Sequence, residues 1–394
     1  MNLKKKGRLN FSKHVLSPIR EFINDSRAVG IVLIICTVIS IFIANSDLST
    51  AYLNFWLTPL HAPINGMTFP HDLTAFINDA LMAVFFLLVG MEIKREMLIG
   101  ELSSIRQAAL PIVAAIGGML IPAGIYLFWN HNTPLAHGWG IPMATDIAFS
   151  LGIISLLGKR VPMALKILLT ALAIIDDLGA IIAIAIFYTA QIHWLYLGLA
   201  GLCLLFLIVL NLLKVQRLYL YFLAGILLWY CLFNSGVHAT LAGVLLAFTL
   251  PLSKIPKLEH NIHDPVNFII LPIFALANTA IVLPAHTWDI LLKETTTYGI
   301  AGGLIFGKPI GILLFSFLAV KLKFAQLPKG LNWHHITGMG MIAGIGFTMS
   351  IFISMLAFND ASDQISAKIA VLMASLISAV IGYGYLKRLF KKSL

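Results

Sequence analysis

Long apolar runs alternate with short polar breaks along almost the whole chain. Runs near the length of a membrane-crossing helix, roughly 20 residues, begin near Ala28, Leu73, Ala108, Trp139, Met163, Trp194, Leu218, Val237, Val266, Tyr298, His334 and Ile365. The pattern predicts an all-α polytopic membrane protein with 12 transmembrane helices. Two runs are interrupted. In the fourth, Gly138, Gly140 and Pro142 precede Thr145 and Asp146; in the eleventh, Gly338, Gly340, Gly344 and Gly346 crowd together. Glycine weakens a helix interior by about 1 kcal/mol relative to alanine. Unwound backbone at membrane depth persists only where it is buried in protein or lines a cavity. Helices 4 and 11 are therefore expected to be discontinuous, with Gly340, Gly344 and Gly346 in the unwound part of the second. In the tenth run Gly299, Gly303, Gly307 and Gly311 recur every four residues and form one stripe suited to close helix packing. The polar stretch at about 46–72 contains Asn65-Gly66, which signals a hairpin turn; a plain loop with a turn is the alternative.

Composition agrees with the pattern. Of 394 residues, 59% are hydrophobic and only 11% charged, too few charges for the polar shell of soluble domains. The formal net charge of +10 raises the question of a nucleic-acid partner, and charge placement answers it. With the N-terminus in the cytoplasm, the arm at 1–27, the loops on its side and the tail at 387–394 hold all but four of the 27 lysines and arginines; Lys293 falls in an outer loop, and Lys166, Lys308 and Lys368 fall in or beside helices. This asymmetry is the positive-inside rule. It accounts for the basic balance without nucleic acid and predicts both termini in the cytoplasm. The transmembrane domain is expected at 28–386. The basic N-terminus ahead of the first run reads as a retained anchor rather than a cleaved signal peptide, with residues 11–26 lying on the membrane surface. Cys36, Cys203 and Cys231 sit inside apolar runs and fit no disulfide or zinc spacing.

Several ionisable residues sit where lipid would penalise them. Asp146, the adjacent Asp176 and Asp177, and Lys308 fall inside predicted helices; Asp79 and Glu92 lie toward the ends of the second. Each charge at a helix centre costs about 2.5–3.5 kcal/mol on insertion scales. One carboxylate paired with Lys308 could be a packing lock. Three carboxylates against one ammonium leave a surplus that a cation or protons must neutralise. Neighbouring helical residues point about 100° apart, so Asp176 and Asp177 are expected to divide roles, one toward Lys308 and the other toward Asp146. Asp146 and Lys308 also suit the exposed dipole ends of broken helices. Runs three to five and ten to twelve, about 108–190 and 298–386, start on opposite sides and each has a broken middle member. That is the arrangement of inverted-topology repeats around a midplane site in secondary transporters.

At these residues the chain closely resembles the bacterial NhaA family of sodium/proton antiporters. The resemblance is carried by Ile77-Asn78-Asp79 and the run to Gly90 with Glu92 and Lys94-Arg95-Glu96, by Ala144-Thr145-Asp146-Ile147, and by Ala173-Ile174-Ile175-Asp176-Asp177-Leu178-Gly179. It continues through Ser235-Gly236-Val237-His238, Gly307-Lys308-Pro309 and Gly344-Ile345-Gly346-Phe347-Thr348. It implies an electrogenic, pH-regulated exchanger of the cell inner membrane, exporting sodium or lithium in return for protons by alternating access. In that family Asp177, Asp146 and Thr145 would bind the metal ion, and Asp176 would pair with Lys308 and exchange protons. Glu92, Glu259, His260 and His263 would form the pH-sensing region, with His238 linked to pH response. The hairpin would be the contact of a homodimer. Departures are a short inner loop before Leu258, Asp264 directly after His263, and a poorly matched hairpin. The partners implied are sodium, protons and the lipid bilayer, with no nucleic acid.

No enzymatic activity and no cofactor are expected, the metal ion and protons being cargo. Gly338-Met339-Gly340-Met341-Ile342-Ala343 matches a dinucleotide fingerprint but lacks the strand that must precede one. Three rivals differ in class. An intramembrane aspartyl protease would place its carboxylates on separate helices, one in Gly-x-Gly-Asp, which is absent. A retinal protein would use a membrane lysine with an aspartate counter-ion, and twelve helices argue against it. A passive sodium channel shares the charges but not coupled proton flux.

Overall fold

The computed structural model describes residues 26–60, 69–189, 192–283 and 293–391. The expected arm at the N-terminus, with its surface segment, and the Asn65-Gly66 turn lie outside the described residues. The described residues are helical throughout, with no strand beyond one antiparallel bridge between Pro59 and Asp72. The helices are α1 (Ser26–Ala44), the short α2 (Ser49–Trp56), α3 (Leu73–Leu98), α4 (Ile105–Asn130), α5 (Ile147–Leu156), α6 (Met163–Phe187) and α7 (Trp194–Leu212). They continue as α8 (Leu218–Ser235), α9 (Leu241–Thr249), α10 (Leu252–Asn278), α11 (Thr295–Lys321), α12 (Trp333–Ala343), α13 (Phe347–Ala357) and α14 (Ala361–Lys391). A 3₁₀ segment, Pro134–Met143, precedes α5.

Among the described residues, eight helices are long and apolar enough to cross a membrane, and the number reaches 11 when each of three bent pairs is one crossing. The 3₁₀ segment meets α5 at 43°, α12 meets α13 at 49°, and α9 meets α10 at 105°. The ninth run begins earlier than its apolar residues indicated. α10 starts at Leu252, and its first turns carry exposed His260, His263 and Asp264; a helix continues beyond an apolar run as long as its polar side chains reach water. The stretch at about 46–72 also begins differently, with residues 49–56 helical; nearer its end the Leu60 N–H donates to the His71 carbonyl at 3.1 Å.

Burial follows the expected chemistry. α7 turns Leu195, Leu202, Leu205 and Phe206 outward, and α1 does the same with Ile35, Val38 and Phe42, as lipid-facing helices must. The most extensive helix pair is α4 with α11. The glycine stripe explains it: Gly307 lies against Pro122 and Ile125, Gly303 against Pro142 of the 3₁₀ segment and then Pro122, and Gly311 against Gly117, so closely that a Cβ on Gly311 would collide with the Gly117 carbonyl. Without a hydrophobic driving force between helices in lipid, such small-residue contacts carry association. The cysteines are unbridged and partly or fully buried. Lys94 of α3 donates to the carbonyl of Phe248 at 2.8 Å and to that of Leu250, closing the C-terminal end of α9.

Overpacking costs roughly 1–3 kcal/mol. Gly311→Leu is therefore expected to lower the thermal midpoint of the detergent-solubilised protein by several degrees, whereas Gly198→Leu, at a glycine with open space around it, leaves it unchanged; differential scanning fluorimetry compares the two.

Candidate functional site

The two milder bends meet each other. Residues 144–146 separate the 3₁₀ segment from α5, and residues 344–346 separate α12 from α13. The Asp146 N–H donates to the Ile345 carbonyl at 2.7 Å. Ser150, four residues after Asp146, donates to the Ile342 carbonyl (3.2 Å), and Ser350, four residues after Gly346, donates to the Ile141 carbonyl (2.7 Å). Each helix beyond a break thus bonds to the segment before the other break.

Opening a helix leaves backbone donors and acceptors unpaired, and here each end finds a partner. Asp146 is the N-cap of α5, its Oδ1 accepting the Phe149 N–H at 2.9 Å. Its Oδ2 accepts the Thr348 N–H at 3.1 Å and the Thr348 hydroxyl, at the start of α13. A carboxylate at two helix N-termini is the favourable sign for both dipoles. On the acceptor side, the Lys308 ammonium donates to the Met143 carbonyl at the end of the 3₁₀ segment. Gly344 allows the approach on the α12 side: a Cβ there would strike the Leu304 carbonyl.

α6 supplies the other carboxylates. Asp176 Oδ2 lies 2.8 Å from Lys308 Nζ, both side chains fully buried. The Thr145 hydroxyl is 2.8 Å from the same oxygen and 3.0 Å from the Ala343 carbonyl. Asp177 is buried, and its Oδ1 has no hydrogen-bond partner. It lies within electrostatic range of Asp176, Asp146, Glu92 and Lys308. Asp176 joins the lysine through Oδ2, and Oδ1 of both Asp176 and Asp177 is buried without a hydrogen-bond partner. Among the described residues no three His, Cys, Asp or Glu side chains converge as a preformed metal cluster.

Three placements differ from expectation. Thr145 turns to Asp176 and the α12 carbonyl. Gly340 is helical, inside α12 and packed on Pro309; the opened residues are 344–346 only. Thr348 holds Asp146, a role the sequence did not single out; a hydroxyl residue directly after the Gly344-Ile345-Gly346 break was the available signal.

The residues expected in pH response lie elsewhere. Glu92 is half-buried near the far end of α3 and within electrostatic range of Glu259, Arg95 and Glu96. Arg95 bridges Glu96 and Glu259, each at 3.0 Å. His260 and His263 are exposed on the first turns of α10; His263 sits 3.3 Å from Asp264 and 3.0 Å from Asn267. His238, in the turn between α8 and α9, contacts the Tyr188 carbonyl at 2.8 Å. Burial pushes its imidazole below the usual range, and that carbonyl partly offsets the shift.

Fold and site together define a polytopic helical membrane protein with a buried cluster of charged side chains where two bent helix pairs cross. Comparison with known proteins gives the family. The family described as Na+/H+ antiporter 1 matches residues 20–386. The chain is 50% identical over 374 residues to Na(+)/H(+) antiporter NhaA 1 of Flavobacterium johnsoniae, covering 93% of this chain and 96% of that one. It is 52% identical over 376 residues to the NhaA antiporter of Dechloromonas aromatica (93% and 94%) and 48% over 379 residues to that of Citrobacter koseri (94% and 97%). The chain belongs to the NhaA family of Na+/H+ antiporters and is a transporter rather than an enzyme.

Removing one partner of a buried ion pair costs roughly 3–5 kcal/mol. Lys308→Ala is expected to destabilise the protein by about that amount, and Lys308→Met combined with Asp176→Asn by clearly less, measured as thermal midpoints in one detergent.

Proposed function

We propose that the pocket at the crossing exchanges one sodium or lithium ion for protons, with Asp177 and Asp146 as the metal-binding carboxylates. The observation that carries this reading is the buried Asp177, with an unpartnered oxygen, within electrostatic range of Asp146 and of the Asp176–Lys308 pair. Three carboxylates and one ammonium leave two surplus negative charges when all are ionised. Two protons, or one monovalent cation with one charge left uncompensated, can occupy such a site; exchange of the one load for the other moves net charge, the electrogenic transport that the family resemblance implies. A bare sodium ion takes oxygen ligands; Asp177 Oδ1 and the Asp146 carboxylate supply them, with Thr145 acting through Asp176. Asp176 exchanges a proton when the Lys308 pair opens.

The wider arrangement follows from the same reading. The corner between α9 and α10 separates two crossings, which gives twelve in all, with the 3₁₀ segment and α5, and α12 and α13, as the discontinuous helices. The reciprocal serine bonds across the breaks support inverted repeats at about 108–190 and 298–386. Rocking of one bundle against the other moves access between the two membrane faces. The basic loops put both termini in the cytoplasm of a bacterial inner-membrane protein. Glu92, Arg95 and Glu259 form the cytoplasmic charge cluster through which pH sets activity, with His260 and His263 exposed beside it. His238, displaced toward neutrality, charges only as the medium turns acidic. The protein works as a homodimer joined through the segment around Asn65-Gly66.

In everted vesicles, sodium or lithium added at alkaline pH is expected to collapse a preformed proton gradient, and potassium to leave it intact. Asp177→Asn should abolish the response at normal expression; retention of sodium-dependent exchange by that variant would overturn the assignment.

A further inference from the structure

α12 begins with two adjacent histidines, His334 and His335, that the exchange site does not use. They lie at the end of the bundle with the basic loops, the cytoplasmic end in the proposed orientation. His335 closes a reciprocal cap: the Asn332 side-chain oxygen accepts the His335 N–H at 3.0 Å, and His335 Nδ1 accepts the Asn332 N–H at 3.0 Å. The half-buried imidazole is stacked on the buried Phe390 ring of α14, with centroids 5.4 Å apart, which fixes its plane. A backbone N–H can only donate, so this bond exists only while Nδ1 is unprotonated. His334 differs. Its Nδ1 meets the Tyr385 hydroxyl at 3.0 Å, and a hydroxyl turns to accept from an imidazolium as readily as it donates to an imidazole.

Protonation of His335 has three costs. The Asn332 N–H loses its acceptor. A positive charge arrives at a helix N-terminus, the wrong sign for its dipole. The surroundings are already basic. α12 packs against α5, α6, α11 and α14. At this end α5 is followed by Arg160, α6 carries Lys166, α11 carries Lys321 and is followed by Lys323 and Lys329, and α14 carries Lys387, Arg388 and Lys391. The carboxylates of these elements, Asp146, Asp176, Asp177 and Asp363, lie at the crossing or at the opposite end. Glu101, in the loop before α4, shares a cleft with Lys329 that His335 does not line.

The cap matters to the site because α12 is short. Its eleven residues are fewer than a helix needs to be stable by itself. Its last two carbonyls serve the crossing: Ile342 accepts from Ser150 and Ala343 from Thr145. Eight residues, roughly 12 Å of helix, separate them from His335, so a change at the capped end reaches the open end as movement of one short rod.

We propose that His335 is a positioning residue for exchange: its neutral form caps α12 and seats that half-helix at the crossing, and its protonation from the cytoplasmic side unseats it. The proposal rests on the exchange site of the proposed function and adds a pH-responsive element separate from the Glu92, Arg95 and Glu259 cluster. Imidazole changes charge between about pH 5 and 8. The cap is therefore complete at alkaline pH and is lost as the cytoplasm acidifies.

Glutamine is the usual partner in such a cap and does not titrate, so His335→Gln separates capping from protonation. In everted vesicles of the full-length protein this face meets the medium, whose pH is stepped from about 8.5 to about 6.5 while sodium-dependent proton exchange is followed. Losing one cap shifts an equilibrium about fivefold. His335→Gln is expected to match the wild type at the alkaline end and to keep up to about fivefold more of that activity at the acidic end. His335→Leu, without an acceptor at any pH, should already show at the alkaline end the loss that the wild type shows only on acidification; it also serves should the glutamine variant fail to fold. His334→Gln should follow the wild type. Thermal midpoints in one detergent should coincide for wild type and His335→Gln at alkaline pH and separate on acidification, the wild type falling further. Coincident exchange profiles for the wild type and a folded His335→Gln, parallel thermal midpoints across the pH range, or an alkaline activity of His335→Leu equal to the wild type would each overturn the proposal. The thermal readout needs no transport, and the exchange site itself stands or falls with Asp177→Asn.

Discussion

The structure depends on one constraint: a helix opened inside a low-dielectric layer must find partners for every exposed amide and carbonyl. The molecule meets it by crossing two openings. The Asp146 carboxylate receives amides from the starts of α5 and α13, while the Lys308 ammonium and the Thr145 hydroxyl meet carbonyls at the ends of the opposing segments. These side chains hold the breaks open and at the same time form the buried charge cluster. The atoms that satisfy the opened backbone also carry the buried charge, which couples any change of that charge to the geometry of the crossing.

Lys308 reaches this place because of packing some distance away. The glycine stripe lets α11 lie almost backbone-to-backbone on α4. The Lys308 side chain, with Pro309 next to it against Gly340 of α12, is buried completely and directed at Asp176 and Met143. A π-helical turn at Gly303–Gly307 immediately precedes it, and such turns inside α-helices are frequent at functional sites. The pairing is thus prepared by the helix surface before electrostatics acts.

Much of this was legible in the sequence, and the reasons are physical. Charges inside apolar runs are so costly that Asp146, Asp176, Asp177 and Lys308 announced themselves, and the 100° step between helical neighbours foretold that the two adjacent aspartates would part. The four-residue glycine repeat foretold the close contact of α11, which the structure places against α4. What stayed hidden depends on backbone detail without a compositional mark. The π turns are not encoded in hydropathy, and Gly340 reads like Gly344 although only the latter lies in the opened stretch. Thr348 and Thr145 exchange their expected importance because a hydroxyl can serve a carboxylate or a carbonyl equally well, and only the crossing decides which. The extension of α10 ahead of its apolar run escaped because hydropathy marks where lipid begins, not where a helix does.

The two adjacent cations at the end of α3 have a mechanical consequence. Lys94 grips the carbonyls just before the sharp corner between α9 and α10, and Arg95 grips Glu259 just after it. A corner clamped on both sides by one rod cannot flex independently of that rod. The end of α3 and the elbow are therefore joined at two points, so that a tilt of the one would be felt directly by the other.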